Sequence, residues 1–306
     1  MTDKEEGGLS KEHIPVLTEA LAGYISLPRD GAVVDTTVGH GSHSLLLGKT
    51  LGPEGVLVGL DVDENCIKRA HVTLSNLACR VVLLCENFAN IADIVQKQGI
   101  DKVDLILADL GFCSAQLTDP ARGLSFQENM PLDMRFDGRA ETTAADIVNK
   151  EGEKSLADLI YRYGQERASR RIARFIVEYR AKQPIKTTAQ LATIVCKALN
   201  KPPVGRKGRI HPATKTFQAL RIAVNDELAN LEKLLQATPG LLKKDGLVAV
   251  ISFHSLEDRI VKQNFRKNAE AGIYEIMTKK PIVPSRSEIE GNPRARSAKL
   301  RIAKRR

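Results

Sequence analysis

A chain of 306 residues, 42% of them hydrophobic, can bury a sizeable core, so disorder is excluded as the starting assumption and one large domain, or one domain carrying an insertion, is expected. Forty-six Lys and Arg against 37 Asp and Glu leave a formal charge of +9, which favours a polyanionic partner, nucleic acid ahead of an anionic membrane surface. No apolar run approaches the ~18 residues of a membrane span, and the opening MTDKEEGGLSKEH is acidic and polar, unlike a signal or transit peptide, so the expected location is the cytoplasm.

Four short Val/Ile/Leu-rich runs come first: AVVDTTV, VLVGLDV, RVVLLC and VDLILAD. Segments long enough for a helix separate them, which predicts a parallel α/β sheet with helical crossovers. Three runs place an acid at or near the carboxyl end of the strand, Asp35, Asp61 and Asp109, the rim at which open α/β sheets bind ligands. The pattern changes after Leu117. Thr143-x-x-Asp146, Ser155-x-x-Asp158 and Thr187-x-x-Gln190 resemble capping boxes ahead of apolar-periodic stretches, predicting a helical insertion over 119–210 that ends in NKPPVGRKGRIHP. Phe217, Leu220, Val224, Leu228, Leu231 and Leu235 then follow the spacing of one amphipathic helix, stopped at Pro239-Gly240, and GLVAVISF supplies a fifth strand. The sheet domain is therefore expected to comprise 1–118 and 211–306.

Between the first strand and its helix lies DTTVGHGSHSLLL, with Gly39 and Gly41 where the chain must turn tightly and let a ligand touch backbone. A dinucleotide fingerprint would want a third glycine where Ser44 stands. Asp61, about twenty residues further on, can accept hydrogen bonds from both ribose hydroxyls of an adenosine moiety, as NAD and S-adenosylmethionine would each require. Phe88 follows the third strand at the height of an adenine. His40 and His43 stand three apart with no third ligand in view, and the five cysteines (Cys66, Cys79, Cys85, Cys113, Cys196) show no zinc spacing, so no metal is expected and the thiols read as reduced.

Asp109-Leu-Gly-Phe112 has the outline of the D-P-P-[FYW] loop of amino-group methyltransferases. Exocyclic amines of cytosine and adenine lend their lone pair to the ring and are poor nucleophiles. Oxygen acceptors on the N–H bonds favour a tetrahedral nitrogen and restore the lone pair, while an aromatic neighbour such as Phe112 stacks the base. Gln116 offers a neutral donor and acceptor to cofactor or base. In QERASRRIARFIVEYRAK, Arg167, Arg170, Arg171 and Arg174 fall on one helical face beside an apolar face of Ala168, Ile172, Ile176 and Tyr179. The linker adds Lys201, Arg206, Lys207 and Arg209, and the tail from Arg294 to Arg306 carries seven basic residues and no acid, so three segments are candidates for phosphate contact. RGLSFQENMPLDMRFD, with Arg135, could line a pocket for an extruded base. Arg221 and Asn225, a turn apart on the long helix, and His254 after the fifth strand are further candidates at the rim. Ser255 is expected to cap the following helix, with Asp258 as its box partner.

HIPVL, GHGSHS, DLGFCSAQL, RGLSF, PLDMRFD, HPATKTFQALRIAVNDEL, VISFHSLEDRIVK and NPRARSAKLR occur in order over almost the whole chain. Together they resemble the RsmH (MraW) methyltransferases, which methylate N4 of a cytidine in the decoding centre of bacterial small-subunit rRNA. The resemblance implies a class I (Rossmann-like) methyltransferase fold with a helical insertion, 16S rRNA or the small ribosomal subunit as partner, and S-adenosyl-L-methionine held at Gly39, Gly41, Ser42, His43, Asp61, Phe88, Asp109 and Gln116. Asp109 is the implied catalytic group. Ser42 stands where the family usually has glycine, and Cys113 where it commonly has serine. Whether two copies of the chain pair is open at this level.

Overall fold

The structure is a computed structural model and is described here over residues 15–113, 116–117, 119–126, 128–202 and 211–306. The four predicted runs form β1 (Ala32–Asp35), β2 (Val56–Asp61), β3 (Arg80–Cys85) and β4 (Val103–Asp109), parallel to one another. Between them run the helices α1 (Thr18–Tyr24, before β1), α2 (Ser42–Gly48), α3 (Glu64–Leu74) and α4 (Ile91–Lys97). With β5 (Leu242–Ser252), β6 (Tyr274–Ile276) and β7 (Lys299–Arg305) they make a seven-stranded sheet in the order β3-β2-β1-β4-β5-β7-β6, in which β7 is antiparallel to both neighbours.

Both faces of this sheet are covered, which is why its strands read as continuous apolar runs rather than alternating ones. Val33, Leu57, Leu105, Leu107, Ala249 and Ile251 pack on one face, and their immediate neighbours Val34, Val58, Ile106, Val248 and Val250 on the other. Register places Asp35 opposite Leu107, Asp61 opposite Cys85, and Asp109 opposite Ile251, so the three strand-end acids share one rim.

A third core belongs to the helices α5 (Ala144–Lys150), α6 (Glu153–Gly164), α7 (Ser169–Arg180) and α8 (Thr188–Leu199). Leu156, Ile160, Ile172, Ile176, Leu191 and Val195 are fully buried in it. Thr143 and Thr187 form the predicted capping boxes with Asp146 and Gln190. Ser155 does not: α6 starts at Glu153 behind Gly152, which places Ser155 inside the first turn. Phe217 and Leu220 of α9 (Thr214–Asn225) are buried in the same helical core.

The single helix expected over Phe217–Leu235 is two. Asp226 takes a left-handed conformation (φ 50°) between α9 and α10 (Glu227–Leu241), so periodicity continues across a corner that the backbone does not. Nor does Pro239 end the helix; α10 carries it inside and runs on to Leu241. After β5, α11 (Ser255–Glu270) is capped by His254 with Glu257 as its box partner, in place of the expected Ser255 and Asp258. Ser255 Oγ donates instead to Gln165 Oε1 at 2.8 Å, and Asp258 accepts from Arg301 Nε at 2.6 Å.

That last contact corrects part of the reading of the basic tail, in which Arg294, Arg296 and Arg306 stay exposed. After the short α12 (Arg286–Gly291), residues 299–305 are β7, an interior strand with Leu300, Ile302 and Ala303 buried. Arg301 is buried against Asp258, Lys304 pairs with Glu275 at 3.1 Å, and Arg305 donates to the carbonyls of Pro239 and Ile273. These cations are spent inside the fold. Of the linker cations, Lys201 is exposed, and Arg206, Lys207 and Arg209 lie outside the described residues. No described helix is long and apolar enough to cross a membrane. Because β7 joins β5 to β6, Ile302→Ala should lower stability by about 2 to 5 kcal/mol, read as a lower urea midpoint with an unchanged slope.

Candidate active site

Beyond the carboxyl ends of β1, β2 and β4 lies a cavity of about 1720 Å³. Its floor is the turn between β1 and α2. Gly39 (φ 51°) and Gly41 (φ 86°) both hold left-handed backbone, and a Cβ on Gly41 would stand 3.2 Å from Leu74 Cγ. The Gly39 N–H donates to Asp61 Oδ2 at 3.0 Å, and the Asp63 N–H to Asp61 Oδ1 at 2.9 Å. Burial pushes the Asp61 carboxyl up to about 7, against the pull of these two donors. Asp35 is buried beneath the turn, also raised by burial, and accepts from Ser44 Oγ at 2.7 Å. It is a brace of the turn rather than part of the cavity wall.

Asp109 closes β4 and lines the cavity; Thr37 Oγ1 accepts its backbone N–H at 2.7 Å. Its Oδ2 faces His43 Nε2 at 3.4 Å, whereas its Oδ1 has no hydrogen-bond partner. Burial alone would depress the His43 imidazole, but the facing Asp109 carboxylate, helped by Asp35, outweighs it and raises the ring. Gly111 (φ 109°) turns the chain away directly afterwards. Ser42 and His43 open α2 at the cavity, and Phe88 lines it after β3. The glycine turn, Ser42, His43, Asp61, Phe88, Asp109 and Gln116 are thus brought together as expected.

Asp63 was not foreseen. It caps α3, is buried, and its Oδ2 accepts from Gln116 Nε2 at 3.1 Å and Arg122 Nη2 at 2.7 Å. Gln116 Oε1 in turn accepts the Cys113 N–H, so Gln116 braces the loop after Asp109 with both ends of its amide. Arg122 Nη1 donates to the carbonyls of Arg135 and Phe136, tying the start of the insertion to the rim. A capping Asp two residues after Asp61 carried no distinguishing sequence signal, because its partners arrive from more than fifty residues away.

The remaining candidates separate. Arg221 lies with its guanidinium 5.0 Å from the Phe112 ring centroid and 6.0 Å from that of Phe136, and pairs with Glu227 at 2.8 and 2.9 Å. It is a half-buried cation behind the cavity lining, neutralised by Glu227 and forming a wall with two aromatics. Asn225 donates to the Met134 carbonyl and accepts the Phe136 N–H, which pins that wall. Arg135 is held by Asp133 at 2.7 Å and by the Ala140 carbonyl, so it supports its own loop and is absent from the cavity lining. His254 is engaged as the α11 cap, with Nε2 3.2 Å from Glu257 Oε1. Arg171 and Arg174 are exposed along α7, whose opposite face buries Ile172 and Ile176, whereas Arg167 is exposed ahead of the helix, before its cap Ala168, and does not share the helical face expected of it.

The Asp61 proton gives a measurable signature. A carboxyl raised from 3.8 to about 7 binds its proton more tightly folded than unfolded. Its stabilising contribution is therefore complete below about pH 4 and is lost as pH rises through about 7. Asp61→Asn should remove that slope from urea unfolding midpoints measured across the window.

The model of the MraW methylase family matches residues 10–306. Ribosomal RNA small subunit methyltransferase H of Acidobacterium capsulatum is 46% identical over 300 residues, covering 96% of this chain and 98% of that protein. The protein of the same name from Cyanothece sp. is 48% identical over 293 residues, covering 96% and 94%. A solved rRNA methylase from Streptococcus thermophilus aligns over 94% of this chain and 93% of its own, with a TM-score of 0.43 and 10% identity. With near-complete coverage by the family model and by relatives above 40% identity, this chain belongs to the MraW methylase family.

Proposed function

We propose that the chain transfers a methyl group from S-adenosyl-L-methionine to the exocyclic N4 of a cytidine in the decoding centre of small-subunit (16S) rRNA, in the cytoplasm. The observation that carries this reading is Asp109, a strand-end carboxylate at the cavity with Oδ1 unpartnered. The surrounding residues fit the cofactor. Gly39 offers bare backbone, Asp61 a carboxylate for ribose hydroxyls, and Phe88 an apolar face at the end of β3, with Ser42 and His43 at the head of α2 and Gln116 fixing the loop opposite, while Gly41 lets the turn pack against Leu74. When bound, the cofactor supplies an electrophilic methyl on a sulfonium.

Asp109 Oδ1 accepts an N–H of the target amine and draws its nitrogen toward tetrahedral geometry, which frees the lone pair for attack. His43, facing Oδ2, keeps the carboxylate turned to present Oδ1. A paired cytosine must leave its stack to be reached. The Phe112–Arg221–Phe136 wall flanks the space such a base would enter, and the insertion over 119–210 presents Arg167, Arg171 and Arg174 to phosphates.

Incubating protein, labelled cofactor and unmodified small subunits, then digesting the RNA, should give label on N4-methylcytidine at one site. Asp109→Ala should lower turnover by about 10²-fold or more even at saturating cofactor; label on another nucleoside would refute the acceptor assignment. Arg171→Ala should weaken RNA binding without regard to sequence and reduce the slope of log K against log salt by about one.

A further inference from the structure

Two thiols and an imidazole converge on the cofactor cavity from three separate parts of the chain. Cys66 comes from the first turn of α3, Cys113 from the loop after Asp109, and His40 from between the two glycines of the turn. Cys66 Sγ lies 3.4 Å from Cys113 Sγ, and Cys113 Sγ lies 3.8 Å from His40 Nε2. The three ligand atoms all fall within 4.8 Å of one another. A tetrahedral zinc ion with Zn–S near 2.3 Å and Zn–N near 2.0 Å separates two sulfurs by about 3.8 Å and a sulfur from a nitrogen by about 3.5 Å. The Cys66–Cys113 and Cys113–His40 separations differ from these by only a few tenths of an ångström.

We propose that Cys66, Cys113 and His40 form a binding site for a thiophilic divalent cation of the zinc and cadmium class, one whose occupancy blocks the cofactor cavity. A soft pair of sulfurs with one imidazole selects such ions over magnesium or calcium. The set leaves one tetrahedral position for water or solute. Asp61 and Asp63 line the same cavity as the three ligands, so carboxylates stand near the cation's position. Binding displaces the thiol protons to solvent and forms two metal–sulfur bonds. No sequence spacing announces this site, because its ligands span residues 40 to 113 and meet only through the sheet. Exclusion of the cofactor rests on the reading of the cavity given above; the ligand set does not.

The test titrates full-length, reduced, metal-free protein with Cd²⁺ alone and follows the thiolate-to-metal charge-transfer absorption. One equivalent should saturate a band with the intensity of two thiolates and acidify unbuffered solvent as the thiols lose their protons. Cys113→Ser should halve the band, and His40→Gln should keep its intensity but weaken affinity about tenfold or more. Cys79→Ser, remote from the cluster, should leave both unchanged. Absence of a band, a band undiminished in Cys113→Ser, or loss of both thiols to a disulfide in the metal-free protein would each overturn the site. S-adenosyl-L-methionine binding, measured by calorimetry with and without one equivalent of Zn²⁺, should fall tenfold or more. Undiminished binding would overturn the blockade, whereas no binding even without metal would count against the cofactor reading and leave the Cd²⁺ result standing.

Discussion

The buried pair of Asp63 and Arg122 joins the two parts of this molecule. Side chains only 5% and 15% exposed meet at 2.7 Å, where removing either partner would strand a charge out of water. The carboxylate can be so deep because every oxygen is used: Asn65 N–H on one, Gln116 and Arg122 on the other. Through those bonds the start of α3, the loop after Asp109 and the segment carrying Phe136 become one rigid surround. The cavity's shape follows from this contact, since its opposing walls belong to segments far apart in the chain.

The rim is a crowd of acids with few cations. Asp35, Asp61, Asp63 and Asp109 sit within two turns of chain from strand ends, and the fold answers with N–H and O–H donors from Gly39, Asp63 and Ser44. Only Asp109 keeps an oxygen unanswered. A strand that ends on a carboxylate with spare acceptor capacity is poorly explained by stability, because an unsatisfied buried acceptor is costly. It is well explained by a site that waits for a donor.

The α/β alternation, the parallel sheet, the glycine turn and the three strand-end acids were all legible, because they depend on local apolar runs and on turn chemistry within a few residues. So were the capping boxes at Thr143 and Thr187. What escaped were features decided by distant partners. The corner at Asp226 interrupts an unbroken apolar period. Arg301 and Arg305 look like solvent cations until Asp258 and two backbone carbonyls claim them. Arg221, placed at the rim from spacing alone, reaches it already paired with Glu227. In each case charge was read correctly from composition, but its destination was set by tertiary contacts.

The position of β7 bears on how the chain comes off the ribosome. Strands β1 to β5 are made in sequence, yet among the described residues β5 has its second edge filled only by residues 299–305, and β6 pairs only with β7. Until those residues emerge, a long apolar strand stands at the margin of a nearly complete sheet, with its hydrogen-bonding groups open to any extended neighbour. The interval between the synthesis of β5 and of β7 is therefore the period in which a nascent chain is most exposed to misassembly, and the one in which a chaperone would have most to shield.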